Sequence, residues 1–398
     1  MKTPLAPVKR TGRICLLLAF LVVFCGTFFL SNLHRPLLNW DMVAYVASAK
    51  AYQTHDPAAL QTEVYELLRR SVPQRTYSDL TTGYLRHLRA TDPESFRQHL
   101  PFFQIRVAYV WAILALWTFG LNPFFASYLI SAICAALAIM VLAFILPRQP
   151  LVYSLVVPFI ALSSAFPDLA RYSTPDAMAA LAVLVCYALA FRRHKLLLIA
   201  LPACVAVRTD LLLLLPSFYV FLWLTRPFAS RLVLASALSS VALYWGLNAI
   251  FGNYGWSTVF DYTFSHQSAY PADYPHAVTV KSYLAALASG VGSVENGPRL
   301  LKYVGVSIAG IAALLWRPHW IRRAVGPMSA PLQFALVSSL VYVGLHFMLF
   351  PAMWGRYFAA QYALAFSLAA YIALEAVLAS DLARKIRSWP SARIRANR

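Results

Sequence analysis

Charge is scarce in this chain, and negative charge scarcest of all. Only 12% of the 398 residues are Asp, Glu, Lys or Arg, and just 15 are acidic. Soluble domains carry about a quarter, so the polar residues here are too few to coat a globule of this length. A soluble enzyme and a disordered chain are both excluded. Cysteine is sparse too: Cys15, Cys25, Cys134, Cys186 and Cys204 all lie within apolar runs. With none in a loop, neither a disulfide framework nor a thiolate metal site is indicated. The chain has no Asn-x-Ser/Thr sequon and no repeat of solenoid length. No small-x-small cleavage pattern follows Leu30, so residues 14–31 read as an uncleaved first span rather than a signal peptide.

Apolar residues make up the balance, at 60% of the chain with a mean hydropathy of +0.61. They fall in segments 14–31, 105–120, 124–146, 151–167, 176–191, 196–207, 211–225, 232–250, 300–315, 331–350 and 357–378. Runs near twenty residues are what a bilayer crossing requires. The expected fold is an all-α polytopic membrane protein, one transmembrane domain over 14–380. Two polar stretches, 32–104 and 251–299, form its external loops. Residues 1–13 and the basic tail 381–398 are read as cytoplasmic.

A net charge of +19 is of the kind that binds nucleic acid, but its placement argues otherwise. Basic residues cluster in short loops, such as Arg192-Arg193-His194-Lys195, Arg226/Arg231 and Arg317/Arg322/Arg323, and at both termini. That is the positive-inside pattern of a multi-pass protein. If segment 105–120 dips in and returns, every such cluster falls on one side, with 19 of 34 Lys/Arg there and 13 of 15 acids opposite. If 105–120 crossed and nothing else changed, 15 of those 19 cations would flip outward. Ten spans plus one re-entrant segment is therefore the favoured topology, with both termini inside. A rival keeps 105–120 as a span and fuses 196–225 into one long helix. The first loop holds helix signals, Asp56-Pro57 and Thr91-Asp92-Pro93-Glu94. The helix after Pro57 would put Leu60, Val64, Leu67 and Leu68 on one side, as expected of amphipathic helices lying on the membrane surface.

Charged groups at membrane depth are costly and point to function. They are few: Asp41 after the first span; Asp168, Arg171 and Asp176 in Phe166–Asp176; Arg208 and Asp210 dividing the run 196–225; Arg356 before the last span. Each also has a purely structural reading. Asp41 caps a helix through Ala44–Lys50, and Asp176 caps the helix after Pro175. Asp168 and Arg171 pair with each other, Arg208 and Asp210 hydrate a turn, and Arg356 anchors at the interface beside Trp354 and Tyr357. As a set they suit a lipid-linked phosphosugar, whose tail lies among the spans and whose phosphate sits at the interface. Arginine forks fit phosphate oxygens, and a nearby carboxylate accepts a proton from an attacking hydroxyl or amine.

The arrangement resembles the GT-C superfamily of polyprenyl-phosphate-dependent glycosyltransferases, which includes protein mannosyltransferases and lipid A aminoarabinose transferases. Trp40-Asp41 with Tyr45 is similar to the family's acid early in the first external loop. Ala170-Arg171-Tyr172-Ser173-Thr174-Pro175-Asp176-Ala177 is similar to its acid before a span, and Gly355-Arg356-Tyr357 to its Arg-Tyr near a late span. The chain departs from the family at Met42, where some relatives carry a second acid, and in having only Leu100-Pro101-Phe102-Phe103 in place of a Pro-Pro-Leu-like segment.

The resemblance implies a GT-C-like bundle of about 10–11 spans in a bacterial inner membrane. It also implies transfer of a sugar from a polyprenyl-phosphate donor to an envelope acceptor on the periplasmic face, with inversion. Asp41 would be the base. Arg356 and Arg208, with Tyr357, would hold the donor phosphate, Arg171 would be an outer partner, and Asp176 would orient an arginine. A divalent metal ion, with Asp41, Asp176 and His266 as candidate ligands, and acceptor contacts from His266 and His276 are further expectations. Partners are the lipid donor and membrane lipids, with no nucleic acid. The competing classes are a transporter or flippase for an anionic lipid or solute, and a non-catalytic partner of envelope glycan machinery.

Overall fold

A computed structural model describes residues 10–147, 151–274, 277–292, 297–316, 328–352 and 354–379. The basic termini beyond those bounds, the cluster 317–323 and His276 lie outside the described residues. The chain is an all-helical, polytopic membrane protein, and its one β contact among the described residues is an isolated bridge between Leu37 and Tyr172.

Among the described residues, six helices are long and apolar enough to cross a bilayer. They are α1 (Arg10–Leu33), α9 (Pro123–Ala143), α15 (Ser230–Phe251), α18 (Gly297–Trp316), α19 (Ser329–Leu349) and α20, which continues a 3-10 turn at Gly355–Phe358 as Ala359–Ala379. Four shorter apolar helices complete the bundle: α10 (Leu151–Ser163), α12 (Asp176–Phe191), α13 (Leu197–Val207) and α14 (Leu215–Thr225). Alanines let the central pair approach closely: Ala132, Ala135 and Ala138 of α9 and Ala177 and Ala180 of α12 are all buried. Small residues at a helix contact gain van der Waals packing where no hydrophobic drive exists in lipid.

Helix α13 ends where Arg208 takes an extended conformation, φ −152° and ψ 121°. The chain turns through Thr209–Leu213 and re-enters a helix with Pro216 in its first turn. Ser236 of α15 donates to the carbonyl of Leu198 at 2.7 Å, and Tyr219 donates to the carbonyl of Ser236 at 2.9 Å. Leu198, Tyr219 and Ser236 therefore share one level, so the chain reverses at Arg208 and a fused 196–225 helix is not formed. Residues 192–195 and 226–229 consequently lie at the same end of the bundle. Arg192 belongs to that end as well, donating to the carbonyl of Ile145 at 2.7 Å.

The polar stretch 32–104 folds into helices at the opposite end: α2 (Trp40–Lys50), α3 (Pro57–Ser71), α4 (Gln74–Thr81), α5 (Tyr84–Thr91), α6 (Pro93–His99) and α7 (Pro101–Gln104). Both expected caps are present, Asp56 accepting from the Ala59 amide at 2.7 Å and Asp92 from that of Glu94 at 2.9 Å. Leu60, Val64 and Leu68 face inward as the spacing predicts. The purely structural reading of Asp41, as the cap of a surface helix through Ala44–Lys50, is corrected, however. Residues Met42–Ala49 of α2 are buried on all sides, because α3, α7, α8 (Val107–Thr118) and α9 enclose this small, apolar helix.

Helix α8 has 12 residues, a rise of about 18 Å against a hydrocarbon layer of about 30 Å. It follows α6 and α7 across a 109° bend. Its first turn meets Tyr45 at Tyr109, with ring centres 5.0 Å apart, and its last turn sets Trp117 under Lys50. Asn122 then donates to Ser71 of α3 at 2.6 Å. Both ends of α8 thus lie among the loop helices.

Candidate active site

The segment before α2 and the segment before α12 are clamped side by side. The amide of Leu37 donates to the carbonyl of Arg171 at 2.9 Å. This places the first turns of two helices, carrying Asp41 and Asp176, next to each other. Neither acid is spent on capping. Asn39 caps α2, its side chain accepting from the Met42 amide, and Pro175 precedes α12 with no side-chain cap.

Antiparallel α12 and α13, joined by a short basic turn, bring Arg208 to Asp176. Its Nη1 donates to Asp176 Oδ1 at 2.6 Å, and its Nη2 to Asp210 Oδ2 at 2.6 Å. Arg208 is only 5% exposed, so without two carboxylates its burial would be prohibitive. Asp210 Oδ2 also accepts from Tyr342 at 3.2 Å and lies 3.3 Å from Nε2 of His346.

Arg356 arrives from the turn before α20 and sits between the two helix-start acids. Its Nη2 is 3.7 Å from Asp41 Oδ2 and its Nε 3.3 Å from Asp176 Oδ2. These contacts are close enough for charge attraction, yet the Nε–H is not aligned for a hydrogen bond and has no other partner. Tyr357 packs against both guanidiniums, 4.4 Å from that of Arg208 and 5.5 Å from that of Arg356. Its ring quadrupole eases the proximity of two cations.

Asp41, Asp176, Arg208, Asp210, His346, Arg356 and Tyr357 line one cavity of about 750 Å³ at the loop-bearing end of the bundle. Trp40, Arg86, Arg89, His99 and Tyr262 form its outer wall, while Tyr244, Asn248 and Leu349 carry it between α15 and α19. Leu349 and Trp256, also on the wall, are exposed.

Asp41, Asp176, Arg208, Arg356 and Tyr357, expected from the sequence, are thus brought together from four parts of the chain. Arg171 is not among them: it lies off the cavity wall, and its Nε donates to the carbonyl of Arg35 at 2.7 Å, fastening the clamp. His266 is also off the wall, stacked on Tyr274 at 4.6 Å. Among the described residues no three of His, Cys, Asp and Glu gather in a way that fits a metal ion. Between Asp41 and Asp176 the structure places the guanidinium of Arg356.

Five basic wall residues were not anticipated: Arg86, Arg89, His99, Arg106 and His346. Arg106 and His346 stand at the edges of apolar segments, so the criterion that singled out Arg356 also applies to them. Arg89 has no such signal, since it sits in a polar amphipathic helix. Neither a protein-family model, a curated protein nor a solved structure matches the chain.

Proposed function

We propose that the chain is a GT-C-like glycosyltransferase that moves a sugar from a polyprenyl phosphate to an acceptor at the periplasmic face of a bacterial inner membrane. The observation that carries this reading is the geometry at Asp41: an uncapped carboxylate on the wall of a membrane-end cavity, 3.7 Å from a guanidinium with an unspent N–H. The positive-inside rule puts the cavity end outside, because the basic turns 192–195 and 226–231 lie at the other end.

In this reading the polyprenyl chain leaves between α15 and α19 while its phosphate meets Arg356. Asp41 accepts the proton of the acceptor hydroxyl or amine. The acceptor atom bonds to the anomeric carbon from the face opposite the leaving group, the carbon–oxygen bond to phosphate breaks, and its electron pair stays on the phosphate. A phosphodiester with one negative charge becomes a monoester with up to two. Asp41 becomes neutral in the same step, so the negative charge passes from one neighbour of Arg356 to the other. Such an exchange needs no new counter-ion, as expected of a preorganised site. Arg208, held by two carboxylates, supports this wall and does not itself need to touch the donor.

Incubation of the purified protein with a panel of undecaprenyl-phosphate sugars and envelope acceptors, following free lipid phosphate, tests the proposal. Asp41→Asn is expected to lower turnover by about 10²–10⁴-fold while inserting and purifying as the wild type does. Unchanged turnover in that variant removes Asp41 from the mechanism. A transporter is disfavoured by the gathering of buried charge at one end of the bundle, since alternating access uses a site near the midplane.

A further inference from the structure

The cavity wall carries five arginines, Arg86, Arg89, Arg106, Arg208 and Arg356, against three aspartates, Asp41, Asp176 and Asp210. All three acids sit at the inner end with Arg208 and Arg356. Of the other three, Arg106 donates to the carbonyl of Phe102 just before α8, and Arg86 and Arg89 lie at the outer end, on α5. Arg86 stands on the exposed rim, whereas Arg89 is 7% exposed.

Arg89 pairs with no carboxylate among the described residues. Its guanidinium lies 4.2 Å over the face of Trp40, one of its Nη atoms donates to the hydroxyl of Tyr262, and its Nε–H has no partner. Burial is the main influence on this group and lowers its pKa below the ordinary arginine value. A buried cation held by aromatic rings and one phenol, with the charge of Asp41 acting only from beyond contact distance, is costly. Arg208, no less buried, has two carboxylates for the same purpose. The local backbone does not account for the position either: Gln61 donates to the carbonyl of Arg89 at 2.8 Å and fixes the helix there without touching the charge.

We infer that Arg89, with Arg86 at the rim and Trp40 and Tyr262 as an aromatic platform, forms a second oxyanion subsite that holds a phosphate group on the acceptor. The inference rests on the transferase reading above, with the donor phosphate at Arg356 and the acceptor entering from the α5 side. Trp40 and Asp41 are consecutive residues, so the base stands between the two guanidinium groups. An acceptor anchored at Arg89 presents its nucleophile toward Asp41.

The test uses the full chain in lipid nanodiscs saturated with undecaprenyl phosphate, titrated at low salt with glucose 1-phosphate, dodecyl phosphate or methyl glucoside. At least one phosphorylated probe is expected to bind on top of the lipid phosphate, and methyl glucoside is not. Arg89→Gln should weaken that binding at least tenfold and Arg89→Lys less, with undecaprenyl phosphate affinity unchanged in both. Tighter binding of dodecyl phosphate identifies a lipid acceptor, and tighter binding of glucose 1-phosphate a soluble one. Either result upholds the subsite. If neither probe binds, or if binding is indifferent to Arg89→Gln, the subsite is refuted. Undecaprenyl phosphate binding that is absent or indifferent to Arg356→Gln counts instead against the donor site, so the two failures are distinct.

Discussion

Arg208 and Arg356 line the same cavity, yet their removal should have opposite consequences. Arg208→Gln strips the counter-charge from Asp176 and Asp210, both of which it meets at 2.6 Å. Breaking a buried ion pair from one side costs about 3–5 kcal/mol. Arg356 makes longer contacts, 3.3 Å and 3.7 Å, and keeps an unaligned N–H. Arg356→Gln forfeits chiefly those contacts and its packing on Tyr172, Trp354 and Tyr357, about 1–2 kcal/mol. For undecaprenyl phosphate the order reverses. Hydrogen bonds to a charged partner contribute about 1.5–3 kcal/mol, so Arg356→Gln should weaken binding roughly 10–150-fold. Reversible unfolding in mixed micelles reads the first quantity and lipid-phosphate titration the second. The division of labour is refuted if Arg208→Gln unfolds like the wild type, or if Arg356→Gln proves the less stable of the two.

Two further outcomes follow from the loop-bearing end. A Cβ on Gly290 of α17 (Val280–Val291) would lie 2.3 Å from the carbonyl oxygen of Pro351 and 2.9 Å from the ring of Phe347. Backbone cannot yield as a flexible side chain does, so Gly290→Ala should cost about 1–3 kcal/mol and weaken lipid-phosphate binding by shifting the turn that carries Arg356; wild-type stability in that variant would count against the contact. Asp92 ties α6 to the second loop by accepting from Tyr270, and that hydroxyl, ahead of the capped amides, holds its carboxyl below the ordinary value of 3.8. A depressed folded value gives stability that is complete above the ordinary range and lost as pH falls through the depressed one. Protease resistance of the loops should therefore hold above pH 4 and decline below it, and Asp92→Ala should remove that pH dependence.

The departures from expectation have physical causes. Arg171 shares a motif with Asp176, but residues before a helix can point either to its interior neighbours or back along the chain. The bridge at Leu37 and Tyr172 sends Arg171 the second way. A helix in a polar stretch is ordinarily exposed, but the residues of α2 are nearly all apolar, and four neighbouring helices cover it. Arg89 was invisible because a cation on an amphipathic helix is ordinarily solvated, and only the arrival of Trp40 and Tyr262 over it makes it a buried charge.

Composition and spacing were enough to establish the membrane-embedded character, the helical class, the caps at Asp56 and Asp92 and the short list of costly charges. Each of these depends on hydropathy or on neighbours within a few residues. The meeting of Asp41, Asp176, Arg208 and Arg356 depends on chain reversals at Arg208 and α8, on the clamp at Leu37 and on the close approach of α9 and α12. Those are long-range contacts, set by which helix faces fit together, and the fold alone converts scattered charges into one cavity.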